Sequence, residues 1–196
     1  CHSLKQAEYL QAKIQQRFEN CKLHLNEEKT KIVYCKSSRR KESYSNVTFD
    51  FLGFTFQPRE SIDKQGNRFT GFLPAISQKS MKRINETIHS WHLNRHSNQT
   101  LEHLAADINP IVRGWMTYYG KFYPTRLKRF MQTLNGRLAR WVMCKFERYR
   151  NRFYPAQEWL AHIAEKEGLI FYHWKCGVLP RFTNKDKVKS QLIMVK

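Results

Sequence analysis

Acidic residues are scarce: Asp and Glu number 16 against 35 Lys and Arg, for a formal net charge of +19 over 196 residues. Aspartate occurs four times, as Asp50, Asp63, Asp107 and Asp186, with no two close in sequence. A paired-carboxylate metal site therefore needs long-range convergence of the chain. Long apolar runs are absent, and nothing approaches the roughly 18 residues that a membrane span requires. The first ten residues, CHSLKQAEYL, have no apolar core of a signal peptide and no initiator Met. The latter leads us to expect a fragment or a processed chain. Cys1, Cys21, Cys35, Cys144 and Cys176 are odd in number and form no CxxC pair. That argues against a disulfide framework and a thiolate zinc site, and fits a reducing cytoplasm. There is no internal repeat and no long low-complexity run.

What is present is a real core and a strong positive charge. Hydrophobic residues make up 41% and aromatics 14%, too much for a disordered polybasic tail. A pI near 10.0 points to a polyanionic partner, nucleic acid before an anionic membrane. The charge is uneven. Residues 1–76 hold 13 basic and 8 acidic residues, 77–154 hold 15 and 4, and 155–196 hold 7 and 4.

Periodicity predicts an amphipathic helix over 3–21, with Leu4, Ala7, Leu10, Ile14, Phe18 and Cys21 as its apolar stripe. Ile32–Cys35 reads as a short strand and 36–46 as a polar loop. Residues 47–56 read as one strand covered on both sides, in which Gly53 marks a bulge or the close approach of another backbone. DKQGN at 63–67 reads as a turn and 68–73 as the return strand, ended by Pro74. Helices follow. One is capped by Ser77 or Ser80, and a second by Thr100. A third is expected to start afresh at Asn109-Pro110, and a fourth to run from Pro124 or Thr125 to about Phe153. A last helix spans about 156–166, and the polar tail from Thr183 is expected to fray.

On a helical wheel, Arg126, Arg129, Arg137 and Arg140 fall within roughly 80° of one another, flanking the apolar stripe. From Lys121 to Arg152 there are ten basic residues and one acid, Glu147. A solvated helix usually mixes signs for pairing one turn apart. A stripe of one sign suits phosphate tracking, against the plainer alternative of a soluble basic face. Trp115, Tyr118, Tyr119, Phe122 and Tyr123 interleave this charge; most read as core, one or two as surfaces for unpaired bases. His89, His92, His96 and His103 have spacings that suit a metal site on a helix, but no acid accompanies them and basic-surface histidines are the simpler reading.

Three segments, in order, resemble the C-terminal part of group II intron-encoded reverse transcriptases, or maturases: LHLNEEKTKIVYC at 23–35, FDFLGFTFQPR at 49–59 and INPIVRGWMTYYGKF at 108–122. GLIFYHWKCGVLP at 168–180 is a weaker fourth. The resemblance implies an α+β chain. A small helix and a β-hairpin, remnants of a polymerase palm, occupy 1–76; a mainly helical thumb/maturase bundle occupies 77–154; a helical extension and polar tail occupy 155–196. It implies that Lys29, with Lys31 beside it, protonates the pyrophosphate leaving group as a general acid; the alternative is a lysine making solvent or backbone contacts. Phe51, Leu52, Gly53 and Phe54 would form a primer grip, or else plain core strand. Arg113, Lys121, Arg126, Lys128, Arg129, Arg137 and Arg140 would contact RNA phosphates. For Trp115 helix packing is the preferred reading.

Such polymerases hold two magnesium ions on a Tyr-Ala-Asp-Asp turn and an upstream Asp. Neither is found in this sequence, which leads us to expect that it starts just downstream of them and cannot polymerise alone. No cofactor or metal is expected in this piece, and no Cys-rich nuclease module is recognisable. The implied partners are group II intron RNA, a primer–template duplex and the fingers and palm of the same protein, with no membrane. The implied location is a cytoplasmic ribonucleoprotein, and the implied role is assistance to splicing and retrohoming. The alternative is a stand-alone basic nucleic-acid-binding module.

Overall fold

The computed structural model describes residues 1–40, 42–166 and 170–180. The tail from Thr183 and the start of the 168–180 segment lie outside the described residues. The architecture is α+β: one helix, a three-stranded sheet, then a helical bundle. The chain divides into two compact units. The first comprises Cys1–Phe51 and Thr55–Leu73, the second Leu52–Phe54 and the chain from Pro74.

In the first unit, helix α1 (Leu4–Asn20) starts where Ser3 accepts a bond from the Gln6 N–H, so the expected boundaries hold to within a residue. None of its residues is buried: Leu10 and Ile14 remain 43% and 47% exposed. Ile32–Cys35 is not a strand. Tyr34 makes one backbone bond to Asn46, at 2.8 Å, and no ladder extends it. β propensity without a partner strand leaves an extended loop.

The expected continuous strand over 47–56 is two strands. β1 (Phe49–Phe51) ends at a two-residue turn, Leu52-Gly53, and β2 (Phe54–Ile62) returns beside it. Both turn residues have positive φ, 47° and 78°, as a tight hairpin requires. Phe49 stacks on Phe56 across the hairpin at 4.8 Å. Phe49 and Phe51 are exposed, so this pair is not covered on both faces. The next turn forms as expected: Asp63 accepts bonds from the Gln65 and Asn67 N–H groups, and the Asn67 bond leads the causes that hold its carboxyl below the usual range. β3 (Arg68–Ile76) then runs through Pro74 rather than stopping there. β3 is an edge strand, the position in a sheet where proline is tolerated.

Among the described residues, the second unit holds all the buried hydrophobic ones, from Phe54 to Val178. Ser77 caps α2 (Gln78–Ser90) by accepting from the Ser80 N–H. Thr100 caps α3 (Leu101–Tyr119), which passes through Pro110 without restarting. The carbonyl that loses its partner there belongs to exposed Ala106, where solvent reaches it, and Asn109 is engaged elsewhere: its amide donates to the Ile170 carbonyl and accepts from the Tyr172 N–H. Helix α4 (Pro124–Lys145) stops eight residues before the expected end at Phe153. The reason is tertiary. Phe146 turns into extended backbone and meets Trp159 at 5.1 Å, and the following turn buries Tyr149 beside the same tryptophan. α5 (Phe153–Lys166) and α6 (Tyr172–Lys175) complete the bundle around Leu127, Met131, Leu134, Leu138, Trp141 and Val142 of α4.

One polar knot lies inside that core. Asn135 Oδ1 receives the Trp174 indole N–H and His173 Nε2, each at 2.8 Å, while its amide donates to the Val178 carbonyl at 3.0 Å. His173 is fully buried, and Nδ1 finds no partner among the described residues. Since Oδ1 can only accept, the ring is the neutral Nε2–H tautomer. Burial pushes its pKa down to about 3.

Candidate nucleic-acid interface

Helix α4 sorts its side chains by face. The apolar stripe goes into the core, and the arginines beside it stay in solvent: Arg129 and Arg140 are exposed and Arg126 and Arg137 half-buried. Eleven residues separate Arg126 from Arg137, and Arg129 from Arg140. That is about three turns, so the pairs repeat on one side about 16 Å apart. None of Arg113, Lys121, Arg126, Lys128, Arg129, Arg137 and Arg140 forms an ion pair within 4.0 Å among the described residues; the ion pair in this region, Arg150 with Glu147, is long at 3.8 Å. Seven cations on one unit without carboxylate partners among the described residues attract a polyanion.

The structure separates these residues into groups that a wheel cannot distinguish. Arg137 and Arg140 line a cleft of about 1030 Å³, joined there by Arg95 and Arg150. Arg126 and Arg129 lie outside it, two to three turns earlier on the same helix. Arg113 stands over the Tyr172 ring at 5.2 Å, and Lys121 over Phe122 at 5.9 Å. Lys128 lies near Gly177, whose Cβ, if present, would stand 3.6 Å from the ammonium. Sequence reasoning missed Arg95, Lys145 and Arg150, because chain segments 40 or more residues apart meet there.

Those segments are locked together. The Trp141 indole N–H donates to the His96 carbonyl at 2.9 Å, and Lys145 donates to the carbonyls of Ser97 and Gln99 at 2.9 and 2.7 Å. The loop after α2 is therefore fastened to the C-terminal end of α4, and the cleft is preformed.

The turn expected to act as a primer grip is also fastened. The Gly53 carbonyl accepts from the Ser77 N–H at 2.9 Å and the Ser80 hydroxyl at 3.0 Å, and the Tyr118 hydroxyl donates to the Leu52 carbonyl at 2.9 Å. Phe54 is buried against Tyr118, Tyr119 and Phe122, while Leu52 is left 67% exposed at the tip. A side chain at Gly53 would meet Ser80 Oγ at 2.8 Å and the Tyr119 hydroxyl at 3.1 Å, so side chains crowd this glycine, and the expected approach of another backbone is limited to the Ser77 N–H on its carbonyl. Phe51 ends β1 and is exposed. Of the aromatics, Trp115 stacks on Trp91 at 5.6 Å and packs against the core, whereas Tyr118 and Phe122 stay exposed. Lys29 lies in an exposed turn closed by Asn26, whose carboxamide oxygen accepts the Lys29 N–H at 3.0 Å.

Metal chemistry has little to build on. Among the described residues no three His, Cys, Asp or Glu side chains converge to hold an ion, so the four spaced histidines form no such site. His89 and His92 come together, with ring centroids 5.8 Å apart. Asp50 accepts from Thr55, and Asp63 is committed to its own turn. The two magnesium ions implied by the resemblance find no fitting ligands among the described residues. No helix of the described residues is long and apolar enough to cross a membrane.

A basic helical unit whose α4 arginines have no carboxylate partner among the described residues, with a cationic cleft beside them, has the features of a polyanion-binding domain. The comparison with known families is more definite: residues 81–159 match the family model "Group II intron, maturase-specific domain". That span runs from α2 into α5 and contains both arginine pairs and every lining residue of the cleft. Nothing among curated proteins matches the chain. Nothing among solved structures does either.

Proposed function

We propose that this protein binds group II intron RNA through its helical unit and thereby assists splicing and retrohoming of that RNA. The general part, a maturase-type RNA-binding role for the region, rests on the family match at 81–159. The observation that carries the finer reading is the set of cations without carboxylate partners among the described residues, Arg113, Lys121, Arg126, Lys128, Arg129, Arg137 and Arg140. Phosphates are the partners such a set suits, and each contact releases counterions. Trp115 serves helix packing in this reading.

The first unit is read as the end of a reverse transcriptase palm, within a protein that performs RNA-directed DNA synthesis. Phe51, Leu52, Gly53 and Phe54 then form the primer grip and Lys29 the general acid. Support for the grip is the exposed Leu52 tip, held by three hydrogen bonds to its two carbonyls. Support for Lys29 is limited to its match with the resembling segment and its exposure.

Filter binding tests the RNA reading. The protein is titrated onto a group II intron RNA and onto an unrelated structured RNA of equal length, each at two salt concentrations. The intron is expected to bind at least about tenfold more tightly at moderate salt, with affinity falling steeply as salt rises. Equal, weak binding to both would reduce the protein to a basic nucleic-acid module.

A further inference from the structure

We infer that the cleft between the loop after α2 and the end of α4 is a site for unpaired RNA, distinct in substrate class from the duplex backbone that the arginines outside it suit. This rests on the RNA-binding reading above and adds to it which form of RNA goes where.

Four observations converge. The first is charge: Arg95, Arg137, Arg140 and Arg150 line one cleft, whose one acid, Glu147, stands 3.8 Å from Arg150. The second is chemistry beyond charge. The lining also includes the exposed residues His89, His92, Asn94 and Asn151, together with the apolar residues Ile88, Leu93 and Met143. Phosphate tracking needs cations alone. Rings that stack and amides that both donate and accept are what exposed base faces and edges require. In A-form duplex those edges are paired, and the major groove is too narrow to read.

The third is shape. At about 1030 Å³ the cleft lies at the top of the range of about 300–1,000 Å³ typical of small-ligand pockets. That is room enough for a short stretch of nucleotides. The fourth is backbone. Four described residues other than glycine have positive φ, and two of them, His92 at 44° and Asn151 at 58°, line this cleft. Left-handed residues of this kind gather at ligand clamps, where the surrounding structure holds them. Trp141 and Lys145 supply that hold through their bonds to His96, Ser97 and Gln99. By contrast, Arg126 and Arg129 lie outside the cleft, where a duplex backbone can approach.

Fluorescence anisotropy with two labelled probes, a short oligo(U) and a short blunt-ended RNA duplex, tests this on the full chain. The cleft variant His89→Ala/Asn94→Ala/Arg150→Gln changes only exposed side chains, and an unchanged urea midpoint verifies its fold. We expect oligo(U) affinity to fall about tenfold and duplex affinity to change less than about twofold, from lost stacking and one lost phosphate contact. Arg126→Gln/Arg129→Gln should show the opposite bias, losing duplex more than oligo(U). Oligo(U) affinity unchanged in the cleft variant, or both probes weakened equally, overturns the assignment while leaving RNA binding intact. Failure of the unaltered protein to bind either probe removes the RNA reading itself, and this inference with it.

Discussion

The two units of this chain are patterned alike and packed differently. Helix α1 has an apolar stripe as regular as that of α4, yet α4 buries Leu127, Met131, Leu134, Leu138 and Trp141 completely or nearly so, and α1 buries nothing. Among the described residues of the first unit none is buried, while the second holds the entire core. Amphipathic spacing thus reports a face that suits burial, and the surrounding chain decides whether burial occurs. The difference also sorts function. A rigid core is what lets α4 present arginines at fixed spacing, and the well-packed unit is the one that carries the maturase-specific match.

The sharpest way to break that comparison is to delete a large side chain on each side of it. Trp141→Ala should cost about 3–5 kcal/mol in urea unfolding, from lost packing and the lost bond to the His96 carbonyl. Leu10→Ala on α1 should cost less than about 0.5 kcal/mol. A loss of 2 kcal/mol or more at Leu10 would mean that the α1 face is covered in solution.

The next effect is a pH dependence confined to the well-packed unit. His173 is held neutral when folded, with a pKa near 3, against an ordinary value of 6.5. Between those values the unfolded chain binds a proton that the folded chain refuses, so stability is full above pH 6.5 and falls as pH drops. The slope approaches about 1.4 kcal/mol per pH unit. His173→Phe should flatten the urea midpoint between pH 6.5 and 5; an unchanged slope would show that the ring is not buried as described. Smaller again is Gly53→Ala. At φ 78° a Cβ is strained and meets Ser80 Oγ, for a cost of about 1–2 kcal/mol. Stability equal to the unaltered protein would deny the close approach of that turn to α2.

Much of this was legible beforehand, for identifiable reasons. Ser77, Thr100 and Pro124 mark helix starts through local chemistry, and the stripe of α4 is a local period. Two of the misreadings share one cause, which is tertiary contact. Pro110 stays inside a helix because Asn109 binds the distant segment at Ile170 and Tyr172 instead of capping. Phe146 ends α4 early because Trp159 is there to receive it. Phe51–Phe54 read as strand, since Leu at a positive φ is a choice that residue propensity disfavours. Asn135 carried a signal that went unread: a carboxamide beside Leu134 within an apolar stripe marks a buried hydrogen-bonding hub. At the interface, Arg126, Arg129, Arg137 and Arg140 were visible as a stripe. The cleft was not, because Arg95 and Arg150 reach it only through the fold.

The salt dependence of intron RNA binding tests the central claim most directly. Arg126, Arg129, Arg137 and Arg140 are changed together to Gln, which spares the apolar stripe and should leave the urea midpoint in place. The logarithmic plot of affinity against salt should lose about 0.7–0.9 of slope per phosphate contact removed, or roughly 3 in all, together with a large loss of affinity. An unchanged slope in a folded variant would contradict the claim, because the stripe would then not face the RNA.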